Sequence, residues 1–201
     1  MSGKTFVKMT VQSPFTTVYP RYNRYHAVQA LKQLGDEFLV LDCESNGVGK
    51  TAELTELAIL DFKTGNVLFN SLLHPRDLDG RYEVSKSRQV SGIGILELWA
   101  APTLPEKWDE ILPILQSKHI TSFNTTFDLP LIRNSANKWD LECPPLAATC
   151  LMKIATAYLN LDFWVSLQEA AGYFAIDDNI QHRALGDAMT TREMVRKMKP
   201  D

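Results

Sequence analysis

Apolar positions change their period several times along the chain. Phe38-Leu39-Val40-Leu41 is an unbroken apolar run that ends in Asp42. Such a run suits a strand covered on both faces and central in its sheet. Residues 55–62 and 67–73 read as two further strands. Lys63-Thr64-Gly65-Asn66 between them is a turn signal, which predicts a hairpin. Elsewhere the spacing is helical. Residues 22–34 bring Tyr25, Val28, Leu31 and Leu34 to one face, with Gly35 as a stop. Residues 105–116 do the same for Trp108, Ile111, Leu112 and Leu115, and Pro113 is expected to kink or shorten that helix. Residues 119–123 form a short fourth strand, and a helix over 126–139 follows, with Pro130 accommodated in or near its first turn. Residues 146–149 read as a fifth strand. Helices are predicted over 152–158, 166–174 and 184–198, the last with Ala188, Thr191, Met194 and Val195 turned inward. Residues 1–20 are Thr-rich and suggest no regular element. The order implies an α/β fold in which an antiparallel hairpin joins a partly parallel sheet.

Composition adds limits. The chain has 201 residues, 45% of them hydrophobic and 22% charged, which suits one ordinary domain with an adequate core. Its formal net charge is −3. A long groove built on phosphate contacts usually shows a basic surplus. A nucleic-acid substrate would therefore have a short footprint, or metal ions would supply part of the positive charge. Cys43, Cys143 and Cys150 match no zinc spacing and read as thiols in a reducing cytosol. No run of 18 apolar residues is present, and residues 1–20 lack the apolar centre of a secretory signal. A cytoplasmic protein with no membrane attachment is expected.

The informative residues are acids in places where acids are costly. Asp42 and Glu44 lie two apart at the end of the first strand, so they share a face. Adjacent carboxylates raise each other's pKa unless a cation lies between them, and open α/β sheets bind ligands at this edge. Hard cations such as Mg²⁺ accept carboxylate oxygens and leave room for phosphates. Alone, an Asp-X-Glu is about as frequent as chance allows in a chain of this length. The second segment is Asn124-Thr125-Thr126-Phe127-Asp128. Asn124 can cap the coming helix. Asp128 falls in the first turn, where it either complements the helix dipole or points back at the first strand. In the third segment, His182 precedes the last helix, and Asp187 lies on its inner side with Met194. A buried acid there needs a partner or a metal.

Taken together, these segments resemble the DEDDh (DnaQ-like) exonuclease superfamily over about residues 36–199. Asp42 and Glu44 match its Asp-X-Glu motif, which is followed here by Ser45-Asn46-Gly47. Asn124, Phe127 and Asp128 match Asn-X-X-Phe-Asp. His182, Ala184 and Asp187 match His-X-Ala-X-X-Asp. Arg183 stands where the tyrosine branch carries Tyr, which favours the histidine branch. Ser91-Gly92-Ile93 stands where members often have His-Gly-Ile.

The resemblance implies a ribonuclease-H-like fold, a central mixed five-stranded sheet flanked by helices, preceded by an N-terminal extension at 1–35. That extension could cover an edge strand or build a homo-oligomer contact. The implied activity is 3′→5′ exonuclease cleavage of DNA to nucleoside 5′-monophosphates. Asp42, Glu44, Asp128 and Asp187 would hold two divalent ions, Mg²⁺ or Mn²⁺, and His182 would be the general base. Substrate contacts are expected from Ser45, Asn46, Gly47, Ile93, Asn124 and Phe127, with the 3′ end of single-stranded DNA or RNA as partner. Three alternatives stand beside this: an exoribonuclease or oligoribonuclease, a catalytically silent nucleic-acid-binding module, and a metal phosphoesterase acting on free nucleotides. Trp99, Trp108, Trp139 and Trp164 are read as core or interface residues.

Overall fold

A computed structural model describes residues 23–177 and 182–199. Residues 1–22, which include the predicted irregular segment and Tyr22, lie outside the described residues. The chain runs α1 (Arg24–Leu34), β1 (Phe38–Ser45), β2 (Leu54–Asp61) and β3 (Val67–Leu72). A 3₁₀ turn (Gly80–Val84) leads to α2 (Lys86–Ser91), α3 (Ile95–Ala100), α4 (Leu104–Ser117) and β4 (His119–Ser122). Then come α5 (Thr125–Lys138), β5 (Ala148–Cys150), α6 (Leu151–Tyr158), α7 (Leu167–Tyr173) and α8 (Ala184–Met198).

The five strands form one sheet in the order β3-β2-β1-β4-β5. β1 pairs antiparallel with β2 and parallel with β4, so the sheet is mixed and β1 is its centre. Covered on both sides, β1 divides its residues by parity. Phe38 and Val40 join a core beneath α1, α6, α7 and α8. Leu39, Leu41 and Cys43 join a second core beneath α4 and α5. Asp42 and Glu44 continue the parity of Phe38 and Val40, so they emerge on the α8 face just where the strand leaves its apolar cover. A smaller cluster of Tyr82, Ile93, Ile95 and Leu98 holds together the segment after β3.

Several expectations are corrected. Tyr25 is exposed, and α1 buries Ala27 and Leu31 instead. The helix is held from another side, where Arg24 Nη2 donates to the Tyr158 hydroxyl at 2.9 Å and its guanidinium lies 4.3 Å from that ring's centre. Pro113 does not shorten α4, which continues for 14 residues. Pro113 and Asp109, whose carbonyl loses its helical partner, are both exposed, so water can serve that carbonyl. Pro130 is the sixth residue of α5, outside its first turn, and it too faces solvent. Trp108 is buried, as a core residue would be, while Trp99 and Trp164 are about half exposed and lie outside the core.

Candidate active site

Three elements converge at the carboxyl end of β1. The strand supplies Asp42 and Glu44, α5 supplies Asp128 in its first turn, and α8 supplies Asp187 in its own. These residues line a cavity of about 270 Å³ with His182, Asn124, Phe123 and Phe127. The N-terminal end of α7 closes the other side through Ser166, Leu167 and Gln168. Carboxylate oxygens of Asp42, Glu44 and Asp187 lie within 4.8 Å of one another.

The electrostatics follow from that crowding. Burial, then the charges of Asp128, Asp187, Glu44 and Glu56, push the Asp42 carboxyl well above the usual range. Burial and the neighbouring acids raise Glu44 to about 8, while Arg183 pulls it down. Asp128 is raised to about 7 by burial, with Ser122 and Cys43 beside it acting in the opposite direction. Carboxylates so placed must either take up protons or share a cation. A donor set made only of carboxylate oxygens fits a hard divalent ion, so the residues present suit a metal.

The expected substrate contacts separate. Asn124 and Phe127 line the cavity. Asn124 is not a side-chain cap: its Oδ1 accepts from the Thr126 hydroxyl at 2.6 Å, while its main-chain carbonyl receives the N–H groups of Phe127 and Asp128. Ser45, Asn46 and Gly47 form a self-contained turn outside the cavity lining. The Ser45 hydroxyl donates to the Gly47 carbonyl at 2.6 Å, and Asn46 Oδ1 accepts from Glu53 N–H at 2.8 Å. Ile93 is 1% exposed inside the cluster with Tyr82 and Leu98, away from the cavity. Ser91 is buried as well, its hydroxyl donating to the Ser87 carbonyl.

A family model described as Exonuclease (RNase_T) matches residues 39–195, most of the chain and all four acids. The chain belongs to this exonuclease family. It is 27% identical over 176 residues to a protein of Mycobacterium tuberculosis (strain CDC 1551 / Oshkosh) described as a bifunctional exonuclease/endonuclease, covering 80% of this chain and 26% of that protein. It is 25% identical over 168 residues to the DNA polymerase III subunit epsilon of Aquifex aeolicus (strain VF5), covering 82% and 81%. It thus spans about a quarter of the first relative and most of the second. Among solved structures, the nuclease domain of 3′hExo, a DEDDh family member bound to rAMP, superimposes with a TM-score of 0.60 at 16% identity, covering 80% of this chain and 90% of that one. The chain shares the mixed-sheet, ribonuclease-H-like fold of this neighbour, and DEDDh exonucleases use divalent metals. None of its described helices is long and apolar enough to cross a membrane.

Two buried acids beside the site were not foreseen. Glu53 is 1% exposed and accepts the N–H groups of Arg76 and Asp77 and the ammonium of Lys138. Glu56, 3% exposed, binds Arg183. The signal was available: both acids stand in or beside a mostly apolar strand, the criterion that singled out Asp42.

Proposed function

We propose that the chain is a 3′→5′ exonuclease that hydrolyses the terminal phosphodiester of a nucleic acid, DNA in preference to RNA, to nucleoside 5′-monophosphates. The meeting of the Asp42, Glu44 and Asp187 carboxylates within 4.8 Å, at the mouth of a cavity that His182 also lines, supports this reading most directly. Pockets for small molecules usually span roughly 300–1,000 Å³. A cavity of about 270 Å³ suits one terminal nucleotide and not a long strand. The absence of a basic surplus agrees with so short a footprint.

In this reading, Asp42, Glu44, Asp128 and Asp187 hold two divalent ions, Mg²⁺ or Mn²⁺. When bound, these ions neutralise charge on the attacking and leaving oxygens. His182 takes a proton from the attacking water. Water oxygen bonds to phosphorus, the bond to the 3′ oxygen of the penultimate nucleotide breaks, and that oxygen is protonated. Phe123 and Phe127 supply apolar walls for the last base, and Asn124 offers polar contact. Residues 36–199 form the exonuclease domain, and residues 1–35 are an extension to it.

The relative named as a DNA polymerase subunit supports DNA, whereas the neighbour bound to rAMP favours an RNA reading. Matched 5′-labelled DNA and RNA strands would be incubated with Mg²⁺ or Mn²⁺, beside an EDTA control and Asp42→Ala. A ladder shrinking from the 3′ end, absent with EDTA and in the variant, is expected, and it should be faster on DNA. Intact strands of both kinds, with turnover of a free nucleotide, would replace the reading with a nucleotide phosphoesterase. Binding without turnover of any substrate would indicate a silent module.

A further inference from the structure

We infer that Glu56 is a positioning residue for His182, acting through the backbone that immediately follows it. The inference rests on His182 being the base described above. Glu56 lies in β2, every residue of which is buried. It sits opposite Glu44 in the sheet register. An uncompensated carboxylate there would be costly. Instead Glu56 is satisfied three times, by two consecutive residues 127 and 128 positions later. Its Oε1 accepts from Arg183 Nη2 at 2.8 Å and its Oε2 from Arg183 Nε at 3.0 Å. Oε2 also accepts the Ala184 N–H at 3.0 Å. Ala184 opens α8, where a main-chain N–H has no partner within the helix.

The residue directly before this anchor is His182, in the left-handed region with φ +59°. Few non-glycine residues adopt that conformation, although histidine tolerates it better than most. Arg183 is extended, with φ −129° and ψ 129°. Three hydrogen bonds thus tie the two residues downstream of His182 to β2. β2 is paired along its length with β1, the strand carrying Asp42 and Glu44. Glu56 therefore references the imidazole to the same sheet that presents the acids. A carboxylate suits the task because both its oxygens can engage a guanidinium in parallel while one also receives an N–H.

The test combines kinetics with amide exchange. Glu56→Ala and Glu56→Gln would each be made in the native chain and in His182→Ala. In the native chain, Glu56→Ala should lower kcat about 10–100-fold, the usual effect of removing a group that orients a working residue. KM should change little. Glu56→Gln, which still accepts the Ala184 N–H, should lose less. In His182→Ala, both substitutions should cost almost nothing, since the group they orient is gone. Amide hydrogen exchange at Ala184 should quicken in Glu56→Ala and stay slow in Glu56→Gln. Equal losses in both backgrounds would make Glu56 merely structural and overturn the inference, as would an unchanged kcat or unchanged exchange at Ala184. If Glu56→Ala does not fold, the kcat loss of Glu56→Gln in the two backgrounds alone carries the comparison. A native chain that cleaves no nucleic acid would overturn the exonuclease reading, while the exchange at Ala184 would still decide whether Glu56 anchors the segment.

Discussion

Glu44 and Glu56 face each other directly across the antiparallel strands β1 and β2. Like charges in that arrangement repel, and the two acids escape by different routes. Glu56 is neutralised by Arg183 at 2.8 Å. Glu44 turns toward Asp42 and Asp187, where proximity sharpens the repulsion. One member of the pair is thus a finished ion pair, and the other belongs to a group that suits a cation.

Neutralising one acid of that group should separate activity from stability. Asp187→Asn is expected to lower cleavage by about 10³-fold or more, roughly 4 kcal/mol of transition-state stabilisation. Removing one charge eases the repulsion within the group, so the metal-free variant should stay folded. Thermal unfolding in EDTA beside a cleavage time course checks both. A lower unfolding temperature would mean that the Asp187 carboxylate holds the fold.

His182→Ala should reduce the rate by about 10²–10⁴-fold, the usual range for a general base. The Mn²⁺ concentration that gives half-maximal activity should hardly move, since the acids are untouched. Undiminished cleavage would remove His182 from the reaction.

The raised Glu44 pKa makes stability depend on pH in a fixed direction. Between its ordinary value of 4.5 and about 8, the folded metal-free protein binds more protons at this site than the unfolded chain does. Stability must therefore fall as pH rises through that window. A cation that favours the ionised form opposes the loss. The unfolding temperature in EDTA should decline from about pH 5 to about pH 8, and added Mn²⁺ should raise it more at the upper end. A flat profile in EDTA would show that Glu44 ionises without help.

Ile93 and Phe127, both expected from the sequence to contact substrate, should now behave differently. Ile93→Ala empties a buried position and should cost about 2–5 kcal/mol of stability with KM little changed. Phe127→Ala alters a cavity wall and should raise KM for a short oligonucleotide. Denaturant unfolding and steady-state kinetics on both variants distinguish them. A larger KM effect at Ile93 would contradict its burial.

The parts of the site that sequence revealed share a physical cause. β1 is covered on both faces, so its apolar run stops abruptly at Asp42, and the acids stand out. α8 has four turns of inward positions, and its bounds agree with those read from the pattern. What escaped notice lacked such redundancy. α2 and α3 have six residues each, too few for a helical period to repeat. Glu56 could be seen as a costly acid, yet its partner Arg183 is 127 positions away, and no local pattern joins them. The fate of Ile93 depended on Tyr82, whose hydroxyl donates to the Ile93 carbonyl at 3.1 Å, another contact that no spacing announces.

β2 contributes none of the four acids, yet both acid-bearing helices are fastened to it. Leu54 N–H donates to the Ser135 hydroxyl of α5 at 2.8 Å, and Glu53 beside the strand receives Lys138 from the end of that helix. Glu56 does the same for the start of α8. β2 works as a common datum from which two separate parts are measured. Errors in the connecting loops do not accumulate in the distance between Asp128 and Asp187. A lengthened or shortened loop elsewhere in the chain can be absorbed without detuning the acids, whereas a one-residue slip of β2 against β1 would shift both helices together.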